Sequence, residues 1–323
     1  MSGTPLATND QLLAELPSVS QVEGDFASPY PAVSGGGDRA AIARGRLVEV
    51  YELPGGKLLR TIAHRATVST VAFASGGHDL VTGAIDGTLL VTTDGREPTL
   101  LQSSPSAIDV AGLLADGRVV AVDATRKMRV YAPESGRLLA EVDVPTRVGL
   151  LRPSSDARRL VTVPSFTGDT APAVLWDLER YRRTATLAGN AGQVFSARFQ
   201  AGDRAIITAG NDGAVRMWDG MTGRLRQTYR ATSRFFADAI LSPDGRMVLA
   251  GDAEGQLRFW DAASARALWT LPAHKSHLVG VHFEAGDIVT RGFAGDVSRW
   301  TLPAPELVIE ACSDHDRCAN VVQ

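Results

Sequence analysis

The densest cluster of ligand-type side chains is Cys312-Ser313-Asp314-His315-Asp316-Arg317-Cys318, near the end of this 323-residue chain. Cys312, His315 and Cys318 at three-residue spacing could supply three zinc donors, with Asp314 or Asp316 as a fourth. Structural zinc sites draw donors from two separated segments, and the chain has no further cysteines. The plainer expectation is a solvated terminus with two reduced thiols, so no metal is assigned and the three residues stand only as a minor candidate. Two glycine runs, Ser34-Gly35-Gly36-Gly37 and Gly55-Gly56-Lys57, lack the spacing and the following helix of a phosphate-binding loop. There is no Gly-x-Ser-x-Gly nucleophile elbow. The expectation is therefore a protein that is not an enzyme, with no catalytic residues and no cofactor.

The elements that carry these residues repeat. Gly210-Asn211-Asp212-Gly213 leads into Ala214-Val215-Arg216-Met217-Trp218-Asp219, and Asp252-Ala253-Glu254-Gly255 leads into Gln256-Leu257-Arg258-Phe259-Trp260-Asp261. Each is a tight turn followed by a strand that alternates with period two and ends in an aromatic residue. Equivalent strand ends fall at Tyr51, Thr92, Tyr131, Trp176, Trp218, Trp260 and Trp300, at intervals of 41, 39, 45, 42, 42 and 40 residues. Four short strands per period of this length predict a propeller of seven blades.

Trp176-Asp177, Trp218-Asp219 and Trp260-Asp261, the pairs Ala63-His64 and Ala273-His274, and the turn Ser242-Pro243-Asp244-Gly245 together resemble the WD-repeat β-propeller family. The resemblance covers about residues 27–302. It implies an all-β, seven-bladed β-propeller of four-stranded antiparallel blades. Residues 1–26 would form an N-terminal extension, 27–302 the propeller and 303–323 a tail. In that family a His, a Ser or Thr, an Asp and a Trp form a buried structural network in each blade, since buried polar groups must be paired. Carried over, this assigns His64, Thr82 and Asp86 in the second blade, with Thr92 in place of the aromatic residue. The blade ending at Trp218 receives Thr208, Asp212 and Trp218, with Asn190 at the His position. The last receives His274, Thr290 and Trp300, with Ala294 at the Asp position. No blade is expected to hold all four.

A ring is commonly closed by a strand from the other terminus. Gln11-Leu12-Leu13-Ala14-Glu15-Leu16 matches the predicted outer strand Arg137-Leu138-Leu139-Ala140-Glu141-Val142, and Glu306-Leu307-Val308-Ile309-Glu310 is its rival. Residues 11–22 are preferred over 306–311 as the closing strand because joining the termini removes the sheet edges.

The resemblance also implies that partners dock on the rim shared by the loops entering each first strand and those between the second and third strands. The entrance positions are Thr67, Ala107, Pro145, Gln193, Phe235 and His277. Arg234 with Phe235 stands out, because Arg and Phe are enriched at interface hot spots. The longer loop 164–172 adds Phe166 and Asp169. The expected partner-binding set is Phe235, Arg234, His277, Gln193, Thr67, Phe166 and Asp169, with Phe235 and Phe166 as anchors. The alternative is a propeller enzyme or a small-molecule or metal binder using the central channel.

Composition bounds the partner class. A net charge of −3 with interspersed signs offers no field for nucleic acid or anionic lipid. No apolar run approaches the roughly 20 residues that span a bilayer. The expectation is a cytoplasmic interaction scaffold for another protein or peptide, acting by rigid display of rim side chains.

Overall fold

The computed structural model describes residues 32–301, apart from 35–36, 75–76, 94, 102–103, 133–134, 166–169, 201, 234 and 285. Among the described residues every regular element is a strand. The strands form seven successive antiparallel sheets, each a simple meander in which every strand pairs with the next in sequence. Six sheets have four strands and the last, 278–300, has three. All-β and meandering throughout, the chain has the strand plan of a seven-bladed propeller. Both candidates for the closing strand, residues 11–22 and 306–311, lie outside the described residues.

The chain divides into two compact units, Met1–Arg158 with Leu178–Arg182, and Arg159–Asp177 with Arg183–Gln323. The first unit contains the sheets of residues 32–63, 68–100 and 108–143; the second contains those of 194–230, 236–272 and 278–300. The strands Val148–Pro153, Arg159–Pro164, Ala173–Asp177 and Arg182–Leu187 follow the same order as the fourth sheet.

Within each unit, the pattern of apolar residues explains how the sheets associate. Second strands that lie between two neighbouring sheets of one unit are apolar on both faces, because each face meets a neighbour. Ala205–Gly210 and Met247–Asp252 are buried at every position. In the second unit, Ile207, Val215 and Tyr229 of one sheet pack against Phe236, Val248 and Trp260 of the next. In the first unit, Val48, Val50 and Ile62 meet Val68 and Leu80 in the same way. No single sheet could bury these surfaces, so their removal from water depends on the stacking.

Two irregularities recur and matter below. The first strand of five sheets opens with a bulge that leaves its second residue unpaired: Ser69, Asp109, Phe195, Ala237 and Val279. Bulges re-aim a side chain at the end of a sheet. The turns between second and third strands need left-handed backbone, and Gly255 (φ +77°) shows why glycine supplies it: an added Cβ would lie 2.2 Å from the His274 carbonyl oxygen.

Candidate functional site

In the second unit, four rings form a row across the ends of three consecutive sheets. Phe195 and Phe235 lie with centroids 4.9 Å apart, Phe235 and His277 6.1 Å apart, and His277 and Phe293 6.1 Å apart. Each ring owes its position to local backbone. Phe195 is the bulged residue after Val194, so its side chain leaves the alternation of its strand. Phe235 immediately precedes the strand Phe236–Leu241; it is half-buried, while Phe236 is fully buried and meets Trp260 edge-on. His277 precedes Leu278–Glu284 and is exposed. Phe293 lies in the turn after Asp287–Gly292, 71% exposed, and its N–H donates to the His277 carbonyl at 2.7 Å.

That last bond recurs. Ile85 N–H donates to the Thr67 carbonyl (2.9 Å), Ala124 to Ala107 (2.9 Å) and Asn211 to Gln193 (3.1 Å). In four sheets, then, the residue entering the first strand is clamped beside the residue leaving the second, and the two loops share one end of the sheet. Thr67 and half-exposed Ile85 occupy this position in the first unit. Gln193, half-buried in the second, donates through Nε2 to the Ser165 carbonyl at 3.4 Å, which ties the loop after Arg159–Pro164 to the same end. Arg234, Phe166 and Asp169 lie outside the described residues, as do Cys312, His315 and Cys318. Among the described residues no group of three or more His, Cys, Asp or Glu side chains is placed to hold a metal ion. Phe195 and Phe293 were absent from the predicted set; an apolar aromatic residue in a turn was the one sequence signal for Phe293.

Residues 56–91, 181–219 and 224–261 match the family model "WD domain, G-beta repeat". Three segments of the chain are WD40 repeats. Each matched segment begins with the outer strand of one sheet and ends with the third strand of the next. Over 249 residues the chain is 22% identical to apoptotic protease-activating factor 1 of Rattus norvegicus, covering 73% of this chain and 19% of that protein. It is 27% identical over 139 residues to nuclear distribution protein nudF of Aspergillus niger (41% and 31%), and 30% identical over 83 residues to small ribosomal subunit protein RACK1 of Caenorhabditis elegans (25% and 26%). The chain thus spans less than a third of the length of each of these relatives.

The polar residues inside the sheets depart from the expected network in instructive ways. In the last sheet, His274 Nε2 lies 2.8 Å from Thr290 Oγ1, which also accepts from Trp300 Nε1 at 2.8 Å. His274 Nδ1 lies 2.5 Å from Asp296 Oδ2. The expectation that Ala294 leaves this sheet without a carboxylate is corrected: the acid comes from two residues later, and all four residue types are present. In the second sheet His64 lies 2.7 Å from Thr82 Oγ1 and 3.2 Å from Thr88 Oγ1, and Thr88 in turn donates to Asp86. A threonine hydroxyl, Thr88 Oγ1, stands between His64 and Asp86. Burial lowers the His64 pKa, and the nearby Asp86 charge opposes this.

Three other sheets use arginine. Trp218 Nε1 donates to Thr208 Oγ1 at 2.9 Å, but with Asn190 at the His position it is Arg216 that reaches Asn190 Oδ1 (2.5 Å) and Asp212 (2.7 Å). Arg258 meets Asp252 at 2.5 Å, and Arg129 meets Asp123 at the same distance. Each arginine stands mid-way along a third strand, opposite Thr208, Ala250 or Ala121 of the second. Its fork reaches the carboxylate that a histidine would otherwise hold.

Proposed function

We propose that this chain is a non-catalytic interaction scaffold whose partner protein docks on the row Phe195, Phe235, His277 and Phe293. The observation that carries the proposal is Phe293, a large aromatic side chain left 71% exposed at the end of a row of rings. Aromatic residues of this kind concentrate binding energy when a partner desolvates them. The mechanism is rigid display. The rings project from strand ends and bulges held by sheet hydrogen bonds, so little ordering entropy is lost on docking. Gln193 and Thr67, at equivalent ends of other sheets, and Arg234, Phe166 and Asp169, close in sequence to rim positions, extend the proposed contact set. The occupant is an extended peptide or loop of another protein, in the cytoplasm, with an apolar side chain to set between Phe235 and Phe293.

Affinity capture of the full chain from its native cells, with quantitative mass spectrometry of wild type and the Phe235→Ala/Phe293→Ala variant, tests this. A specific partner should fall about tenfold or more in the variant, since one hot spot is worth more than about 1 kcal/mol and two are removed. The same proteins captured in equal amount by both forms would overturn the proposal. Phe293→Ser alone should leave the melting temperature unchanged, because exposed positions contribute within about 0.5 kcal/mol.

A further inference from the structure

The third strand carries an aromatic residue at its last or next-to-last position in six sheets, and Thr92 there in the second. The sixth sheet shows what that position normally fills. Trp260 is buried against the preceding sheet, among Ile207, Val215 and Tyr229, with its ring 6.2 Å from that of Tyr229. In the first unit the corresponding space, between Thr92 and the first sheet, is a cleft of about 400 Å³. That is within the size range of small-molecule sites. Val50, Phe73 and Leu80 give it apolar walls.

Two further features distinguish it from a packing defect. Thr92 lines the cleft, is itself more than nine-tenths buried, and its hydroxyl has no hydrogen-bond partner. Such a group costs free energy unless a partner is supplied. Among the described residues the lining also carries two guanidinium groups, Arg39 and Arg60, together with the carboxylate of Glu97 and the imidazole of His78. Arg60 is three-quarters buried, donates to the Arg96 carbonyl, and lies 3.5 Å from Glu97, whose side chain is 97% exposed. An ion pair to so exposed a carboxylate is worth little and is readily exchanged for a better anion. His78 contacts Asp38 at 2.8 Å, outside the lining.

We propose that this cleft binds a small planar aromatic acid. The ring takes the volume that an indole or phenol fills in the other sheets, its acid group pairs with the Arg60 guanidinium, and a polar substituent satisfies Thr92. A carboxylate and a phosphate ester share this chemistry, and both belong to the class. The site is separate from the proposed docking row.

Isothermal titration of the full chain with indole-3-acetate, with indoxyl phosphate and with neutral indole tests the proposal. Both acids should bind, one per chain, more tightly than indole. Arg60→Gln should weaken the acids about tenfold or more and indole less than twofold, as expected for loss of a charge-assisted hydrogen bond. Thr92→Trp should fill the cleft, abolish binding of all three and raise the melting temperature. If that variant does not fold, Thr92→Leu should reduce all three affinities. Binding by only one acid assigns the site to that anion. No binding of either acid at millimolar concentration, acids no tighter than indole, affinities insensitive to Arg60→Gln, or undiminished binding in the folded Thr92 variant would each overturn the proposal.

Discussion

Asp123→Asn isolates the energetics of the arginine–carboxylate pairs that replace histidine in these repeats. The Asp123 side chain is fully buried. It accepts hydrogen bonds from Ser104 Oγ (2.6 Å), Thr125 Oγ1 (2.5 Å), Arg129 Nη1 (2.5 Å) and the backbone N–H groups of Thr125 and Lys127. Burial alone would push this carboxyl up, but the bonds from Ser104, Thr125 and Arg129 outweigh it and bring the pKa from 3.8 to about 2. A carboxylate whose pKa is depressed in the folded state contributes stability above its unfolded pKa and loses it as pH falls toward the folded value. The gap corresponds to roughly 2–3 kcal/mol at neutral pH. Asparagine keeps the shape but leaves the Arg129 guanidinium without its buried partner, and breaking such pairs costs about 3–5 kcal/mol. Arg129 retains Glu141 at 2.8 Å, which places the expected loss near the lower end, at about 3 kcal/mol. Urea unfolding should be followed by circular dichroism, because all five tryptophans lie in the second unit whereas Asp123 lies in the first. The wild-type advantage should be full at pH 5 and above and shrink steadily between pH 4 and pH 2. A loss below about 1 kcal/mol at pH 7, or a difference that does not vary across that range, would refute the assignment of the charge pair as the stabilising element.

Three further substitutions probe the repeat architecture. Asp296→Ala should cost about 1–3 kcal/mol by leaving the buried His274 ring nitrogen without its partner, whereas Ala294→Ser should be neutral; thermal melts of the two variants separate the alignment expectation from the observed contact. Gly255→Ala should destabilise by more than 2 kcal/mol, because the φ of +77° and the 2.2 Å approach of the His274 carbonyl both penalise a Cβ; chemical denaturation that detects less than about 1 kcal/mol would refute the turn geometry.

The parts of this architecture legible in the sequence were those written with fixed period. The strand ends Tyr51, Thr92, Tyr131, Trp176, Trp218, Trp260 and Trp300 all fall in the third strands of seven successive sheets, because alternation and turn chemistry are local properties repeated along the chain. The strand-entrance positions Thr67, Ala107, Gln193, Phe235 and His277 were legible for the same reason: each immediately precedes the first buried residue of its strand, whereas Pro145 stands three residues before Val148. The contact of Phe195 with Phe235 was not legible, since simple alternation assigns Phe195 a sheet face and only the bulge after Val194 takes it out of that alternation. Asp296 escaped alignment because the carboxylate reaches His274 from two residues beyond the expected site, a shift that a turn absorbs without altering the period.

Sequence alone determined that the described residues are all-β and how many sheets they form, since hydrophobic periodicity and turn residues act over a few neighbours. Only the tertiary structure decided which residues satisfy one another inside the repeats and what remains at their margins. Phe235 meets Phe195 and His277 from neighbouring sheets, and Thr92 borders a cleft walled by Val50 of the preceding sheet; both depend on distances between segments tens of residues apart, whereas Arg129 and Asp123 are partners across a turn. Periodicity fixes the direction of a side chain within its own strand, but burial, pairing and exposure depend on what the next sheet places opposite it.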